Sequence, residues 1–151
     1  MDHEHYMGEA MAEARKAFSQ GEIPIGAVVV REGSIIARSH NLREGLNDGT
    51  AHAEVLAIRQ AGKYLGGWRL LDCALYVTVE PCPMCAGAMI QTRLPLLVYG
   101  ARDEKAGAAG SLYNLVQDER FNHHLEVVEG IRAPEASELM QDFFRTRRKN
   151  R

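Results

Sequence analysis

Five residues restrict this chain more than any others: Pro81-Cys82-Pro83-Met84-Cys85. Cysteines three apart share one face of a helix, so both sulfurs reach a single ion. Pro83 suits the first turn of a helix, where its missing N–H is not needed. A helix N-terminus also favours the anionic thiolate. The segment therefore predicts a helix that begins at a metal site. Two thiolates do not complete one, because a catalytic zinc takes three protein ligands and leaves a position open for water.

The rest of the composition narrows the setting. With 151 residues, 46% hydrophobic and 25% charged, the chain reads as one globular domain over 1–151. Met1-Asp2-His3-Glu4 is acidic and lacks the apolar core of a signal peptide. No apolar run approaches the length that spans a bilayer, so no membrane partner is expected. Of three cysteines, two sit in the Cys-x-x-Cys, which argues against a disulfide framework and for a reducing, cytoplasmic location. The net charge of −2 hides an asymmetry. Without Arg145, Arg147, Arg148, Lys149 and Arg151, the body holds 13 basic against 20 acidic side chains. A basic end on an acidic body fits an anionic partner; on charge alone, a solvated helix end explains it slightly more simply.

Periodicity predicts the following elements in order. Residues 2–20 form an amphipathic helix ended by Gly21. Ile23 to Val30 is a strand buried on both faces, hairpin-paired through Glu32-Gly33-Ser34 with a strand from Ser34 to His40. A helix opens near Thr50 and closes by Gln60 or Ala61, with Gly62 as its stop. A strand from Leu75 to Val79 feeds the Pro83–Thr92 helix. Strands at 96–99 and 125–128, a short helix near 112–117 and a last helix from Pro134 complete the chain. The expected architecture is α/β: a three-layer αβα sandwich around a mixed five-stranded sheet. Ligands in such sheets gather where strands end and helices begin.

The third ligand comes from six histidines. His52 stands in Thr50-Ala51-His52-Ala53-Glu54, just before an apolar-periodic helix. His-x-Glu with Pro-Cys-x-x-Cys is the signature of the zinc deaminases. One imidazole and two thiolates suit a borderline-soft Zn²⁺, and Glu54 suits a proton shuttle that does not touch the metal. In a regular helix, residues two apart diverge. His52 and Glu54 therefore converge only if His52 sits at an irregular helix entrance or the site lies at the helix end. Taken singly, His52 reads as a cap or packed histidine, Glu54 as a solvated helix residue, and the Cys-x-x-Cys as redox-active or structural. Cys73, as a fourth ligand, would close the site; its place beside Ala74-Leu75 reads more simply as a small buried residue.

Beyond these motifs, nearly the whole chain resembles the bacterial tRNA-specific adenosine deaminases of the cytidine-deaminase-like superfamily. The likeness runs through Glu22-Ile23-Pro24-Ile25-Gly26-Ala27-Val28, His40-Asn41, both zinc motifs, Gly100-Ala101-Arg102-Asp103, Gly110-Ser111-Leu112, Asn122-His123 and Asp142-Phe143-Phe144-Arg145. The resemblance implies hydrolytic deamination of adenosine to inosine at the wobble position of a tRNA anticodon. It implies one Zn²⁺ per subunit on His52, Cys82 and Cys85, hydroxide addition at C6, and Glu54 as the acid–base group. It implies that Asn41 and Ala53 meet the flipped base and that Asp103 lies near the ribose. It also implies a homodimer, for which Ala86-Gly87-Ala88 permits close helix approach.

In the last helix, Leu139, Met140, Phe143 and Phe144 form a mostly core stripe. Arg147 and Arg148 reach on toward the phosphates of the anticodon stem-loop, and Phe143 or Phe144 is free to stack on a base. Asp48-Gly49-Thr50 departs from the family's Asp-Pro-Thr, so a more flexible approach to the site is expected. Two rival readings stand beside this one. A deaminase of free guanine, cytosine or cytidine needs neither a basic C-terminal helix nor Asp103. A non-catalytic zinc-stabilised RNA-binding module, closed by Cys73, does not need Glu54.

Overall fold

The structure is a computed structural model that describes residues 1–149, with side chains described through Arg147. Helix α1 (His3–Ser19) starts where the Asp2 carboxylate accepts the His5 N–H at 3.0 Å. Its Met7, Ala10, Met11, Ala14 and Ala17 stripe is fully buried. Strand β1 spans Gly26–Arg31, not Ile23–Val30. Pro24 has no N–H for a ladder, and the Ile25 N–H turns back to the Ile23 carbonyl at 2.9 Å. Those two isoleucines are thereby released from the sheet to line a cavity.

Strand β2 (Ser34–His40) pairs antiparallel with β1. The hairpin turns at Glu32 and Gly33, both with positive φ, the geometry that matches strand twist. Helix α2 (Ala53–Leu65) starts later and ends later than expected. Gly62 lies inside it. The stop is Gly66, left-handed at φ 72, whose N–H closes on the Gly62 carbonyl. Lys63, Tyr64 and Leu65 are sound helix residues, so the chain had no reason to stop at an interior glycine.

Strand β3 (Cys73–Val79) is buried along its whole length. Helix α3 (Pro83–Gln91), β4 (Leu96–Ala101), β5 (Glu126–Val128) and α4 (Ala133–Lys149) follow. The short helix expected near 112–117 is a single 3-10 turn, Leu115–Gln117. The sheet order is β2-β1-β3-β4-β5. The hairpin and the β1–β3 pair are antiparallel, and β3–β4–β5 are parallel.

Alternation in β1 shows how the layers form. Ala27 and Val29 join one core with Ala57 and Ala61 of α2 and Cys85 and Met89 of α3. Val28 and Val30 face Met7 and Ala10 of α1 on the other side, where Met11 also meets Ala136 of α4. Two helices thus cover each face. Gly26 makes the α1 contact possible: a Cβ there would stand 2.1 Å from the Ala10 carbonyl oxygen. Alanine at that position would push α1 off the sheet at a cost of about 1–3 kcal/mol.

One buried carboxylate ties α1 to the end of β2. Glu13, 3% exposed, accepts from Lys16 Nζ at 2.6 Å and meets His40 Nδ1 at 3.0 Å. The other His40 nitrogen lies 3.0 Å from Gln20 Oε1. Burial pushes the Glu13 carboxyl up, but Lys16 and His40 pull it further down, to a net value below the ordinary carboxylate range. A depressed folded-state value contributes stability above the unfolded pKa, and that contribution is lost as pH falls through the folded value. Glu13→Gln should therefore lower the melting temperature at neutral pH and flatten the fall in stability below about pH 4.5. Melting curves of both proteins from pH 7 to pH 3 check this; parallel curves would contradict it.

Candidate active site

Two helices begin at the same point. His52 is the N-cap of α2, with extended backbone at φ −76 and ψ 150. Cys82 is the N-cap of α3, at φ −75 and ψ 173, with Pro83 opening the helix. Because His52 lies outside the helical turn, it and Glu54 reach one cavity although they are only two residues apart. The turn before His52 is held by Asp48, whose Oδ1 accepts the Thr50 N–H at 2.8 Å and its hydroxyl at 2.7 Å. Gly49 thus sits in a capped turn, and this approach to the site is tied down without a proline.

His52 Nδ1 lies 3.6 Å from Cys82 Sγ and 3.4 Å from Cys85 Sγ. Tetrahedral bonds of about 2.3 Å to sulfur and 2.0 Å to nitrogen place such atoms about 3.5 Å apart. The donor set and its spacing therefore fit zinc, and His52, Cys82 and Cys85 form the one His/Cys/Asp/Glu group of that kind among the described residues. Cys73 is not in it. Its thiol is buried at the start of β3 and points to the Leu71 carbonyl at 3.5 Å.

The electrostatics follow from burial and from the contacts among His52, Glu54, Cys82 and Cys85. Contact with the Cys85 thiol, helped by His52, brings Cys82 down to about 4. The same contact and burial push Cys85 up. Cys82 is therefore the first thiol to ionise. His52 is raised by its contact with Cys82. Glu54, 4% exposed, is pushed up to about 7 by burial, which suits proton exchange near neutral pH.

A cavity of about 190 Å³ brings together Asn41, His52, Ala53, Glu54, Cys82 and Asp103, with Ile23 and Ile25 as apolar wall. Asn41 is held at both ends of its amide: Oδ1 accepts the Arg43 N–H at 3.1 Å, and Nδ2 lies 3.4 Å from the Ile23 carbonyl. The Asp103 Oδ1 caps its own turn, accepting the Lys105 and Ala106 N–H groups at 3.1 Å. A second cavity of about 420 Å³ shares Ile23, Asn41 and Arg43 with the first and is bordered by Phe144 and Arg147.

The structure separates the two phenylalanines. Phe143, expected above among the substrate contacts, is 4% exposed and packs edge-on against Phe18 at 5.8 Å. It belongs to the core, and Arg147 lies over its ring at 5.4 Å. Phe144 is 40% exposed and borders the second cavity. Arg148 lies outside the described side chains. Sequence reasoning missed Arg43, which lines both cavities, and Glu22. The buried Glu22 carboxylate accepts the Glu44 N–H at 3.0 Å and the Gly45 N–H at 2.7 Å, folding the loop that carries Arg43. No local pattern marks Arg43. The signal for Glu22 was a lone acid abutting the Ile23 to Val30 run.

The fold and site together define a deaminase of the cytidine-deaminase-like class. A family model described as MafB19-like deaminase matches residues 1–148. The tRNA-specific adenosine deaminase of Bacillus subtilis (strain 168) is 54% identical over 148 residues, covering 98% of this chain and 92% of that protein. A structure from a study of A-to-I editing by tRNA:A34 deaminases superposes with a TM-score of 0.86 at 45% identity, over 89% of this chain and 98% of the other. The guanine deaminase of Bacillus subtilis, also 45% identical, superposes with a TM-score of 0.66 over 74% and 71% of the two chains. This chain belongs to the bacterial tRNA-specific adenosine deaminase family.

The ligand assignment predicts a clear ordering of metal contents. His52→Ala and Cys85→Ser should each lose most bound zinc, whereas Cys73→Ser should keep the wild-type amount. Metal analysis after gel filtration checks it, and loss of zinc in the Cys73 variant would contradict the three-ligand site.

Proposed function

We propose that this chain converts adenosine to inosine at the wobble position of a tRNA anticodon, as a zinc-dependent, homodimeric, cytoplasmic enzyme built as one domain. The observation that carries the reading is the convergence of Asn41, His52, Glu54, Cys82 and Asp103 on one cavity, continuous in its lining with a rim that holds an exposed aromatic ring and a cation. The relatives named tRNA-specific adenosine deaminase support the substrate. His52, Cys82 and Cys85 would hold one ion per chain, and a zinc bound there would supply a nucleophile at neutral pH by lowering the pKa of a water molecule to about 7.

Glu54 handles the protons. It takes one from the attacking water and passes it to the ring nitrogen beside C6; it then takes the remaining proton of the added hydroxyl and gives it to the amino group, which leaves as ammonia. Its buried position keeps competing water away, and its raised pKa allows both directions of transfer. The reaction consumes one water and releases one ammonia. Asn41 and Ala53 hold the flipped base, and Asp103 accepts from the ribose 2′-OH, a group that DNA lacks. Phe144 offers a ring to a neighbouring base, and Arg43, Arg147 and Arg148 meet the phosphates. Helix α3 exposes Met84 beside Gly87, whose position has open space around it, and this face is where we place the second subunit.

Two variants test the reading. Glu54→Ala should keep its zinc, fold and RNA affinity and lose about 10²-fold or more in turnover; normal turnover would remove Glu54 from the mechanism. Arg147→Ala should weaken RNA binding and reduce the slope of log affinity against log salt by about 1. An unchanged slope would take Arg147 off the RNA. Turnover nearly independent of salt, together with activity on a free base, would favour a small-molecule deaminase.

A further inference from the structure

Glu80 stands at the end of β3, two residues before Cys82, and is 3% exposed. It lines the catalytic cavity, yet its oxygens are already engaged. Oε1 accepts the Asp103 N–H at 3.0 Å and the Ser111 hydroxyl at 2.5 Å. Oε2 accepts the Ala109 N–H at 3.0 Å and the Ser111 N–H at 2.9 Å. Every donor comes from the 103–111 loop. Four donors fill the usual capacity of a carboxylate, so Glu80 has nothing left for a substrate. It acts on the loop instead. Gly107 leaves the room: a Cβ there would stand 2.4 Å from the carboxylate. The Pro81 carbonyl adds a further tie, accepting the Ala108 N–H at 2.8 Å.

We propose that Glu80 is the positioning residue for Asp103: its buried carboxylate folds the 103–111 loop onto the strand end that delivers Cys82, and so sets where Asp103 stands in the cavity. A loop without regular secondary structure thus has four of its donors, from its two ends, gathered on one carboxylate. The specificity group for the sugar is thereby registered against the same strand as the metal ligand. The inference rests on the reading of Asp103 as the ribose contact, and it adds the residue on which that contact depends.

The test uses the full, zinc-loaded chain as wild type, Glu80→Gln, Asp103→Asn and the double variant. Two quantities are read. The first is amide exchange at Asp103, Ala109 and Ser111. The second is the ratio of kcat/KM for an anticodon stem-loop with adenosine at the target position to that for the same RNA with 2′-deoxyadenosine there. Glu80→Gln replaces two acceptor sites with an NH₂ group that faces N–H donors. It should retain one zinc per chain, speed exchange at those three amides by about tenfold or more, and lower the ribose preference. The double variant should show no lower preference than Asp103→Asn alone, as expected of residues acting as one unit.

An unchanged preference in Glu80→Gln, or losses that multiply in the double variant, would overturn the proposal, because Glu80 would not act through Asp103. If Asp103→Asn itself keeps the full preference, the ribose reading fails separately, and exchange then decides whether Glu80 holds the loop: wild-type protection in Glu80→Gln overturns that too. Should Glu80→Gln fail to fold, Gly107→Ala presses on the same carboxylate from the loop side. It must then lower the preference in the same direction, and a wild-type preference in a folded Gly107→Ala overturns the proposal.

Discussion

The structure depends on bringing three soft and borderline donors from two helix starts to within bonding reach of one point. His52 and Cys82 both occupy N-cap positions with extended backbone. A residue in that conformation projects its side chain past the end of the helix rather than along its flank. This places both donors at the positive ends of two helix dipoles, where thiolate and carboxylate charge is favoured. It also lets His52 and Glu54 converge, which a continuous helix would forbid. For the two ends to meet, α2 and α3 must pack on the same face of the sheet, and they share one core with the inner faces of β1 and β3. The fully buried β3 then delivers Cys82 directly from its end.

The site's outer parts lie on loops, and loops need another source of rigidity. Buried carboxylates supply it here. Glu22 gathers two N–H groups of the 41–49 loop, and Glu80 gathers three N–H groups and a hydroxyl of the 103–111 loop. A buried carboxylate is costly unless its oxygens are satisfied. Once satisfied by charge-assisted bonds, each worth more than a neutral one, it fixes the loop that satisfies it. Asp48 and Asp103 repeat the device on a smaller scale, each capping its own turn. Asn41 and Asp103 thus face the cavity from loops that buried carboxylates hold in place.

Much of this was legible from short-range pattern. The two motifs named the three donors that the fold brings together, because Zn²⁺ chemistry would dictate their type and a helix start their spacing. Apolar runs, helical repeats and the proline-framed cysteine motif located the five strands and four main helices. What local pattern missed depended on distant partners. Gly62 reads as a stop, yet the helix runs on to Gly66, since the positive φ that ends it is a property of backbone path rather than of glycine alone. Ile23 and Ile25 read as strand, but Pro24 withholds them from the ladder and they wall the cavity. Phe143 and Phe144 are equivalent as sequence; it is the packing of α4, with Phe18 of α1 against Phe143, that separates the buried ring from the exposed one. Arg43 carries no periodic mark, and its place was settled by Glu22, some twenty residues earlier.

The central claim is that this cavity acts on an adenosine presented by an anticodon loop, not on a free base. The most direct measurement is inosine formation by the zinc-loaded protein in a short anticodon stem-loop with adenosine at the wobble position, run beside free adenosine, cytidine and guanine. The account predicts inosine at that position in the hairpin and no deamination of the free compounds. Deamination of a free compound with none in the hairpin would contradict it, leaving the metal chemistry intact and the exposed Phe144 and Arg147 without an RNA to meet.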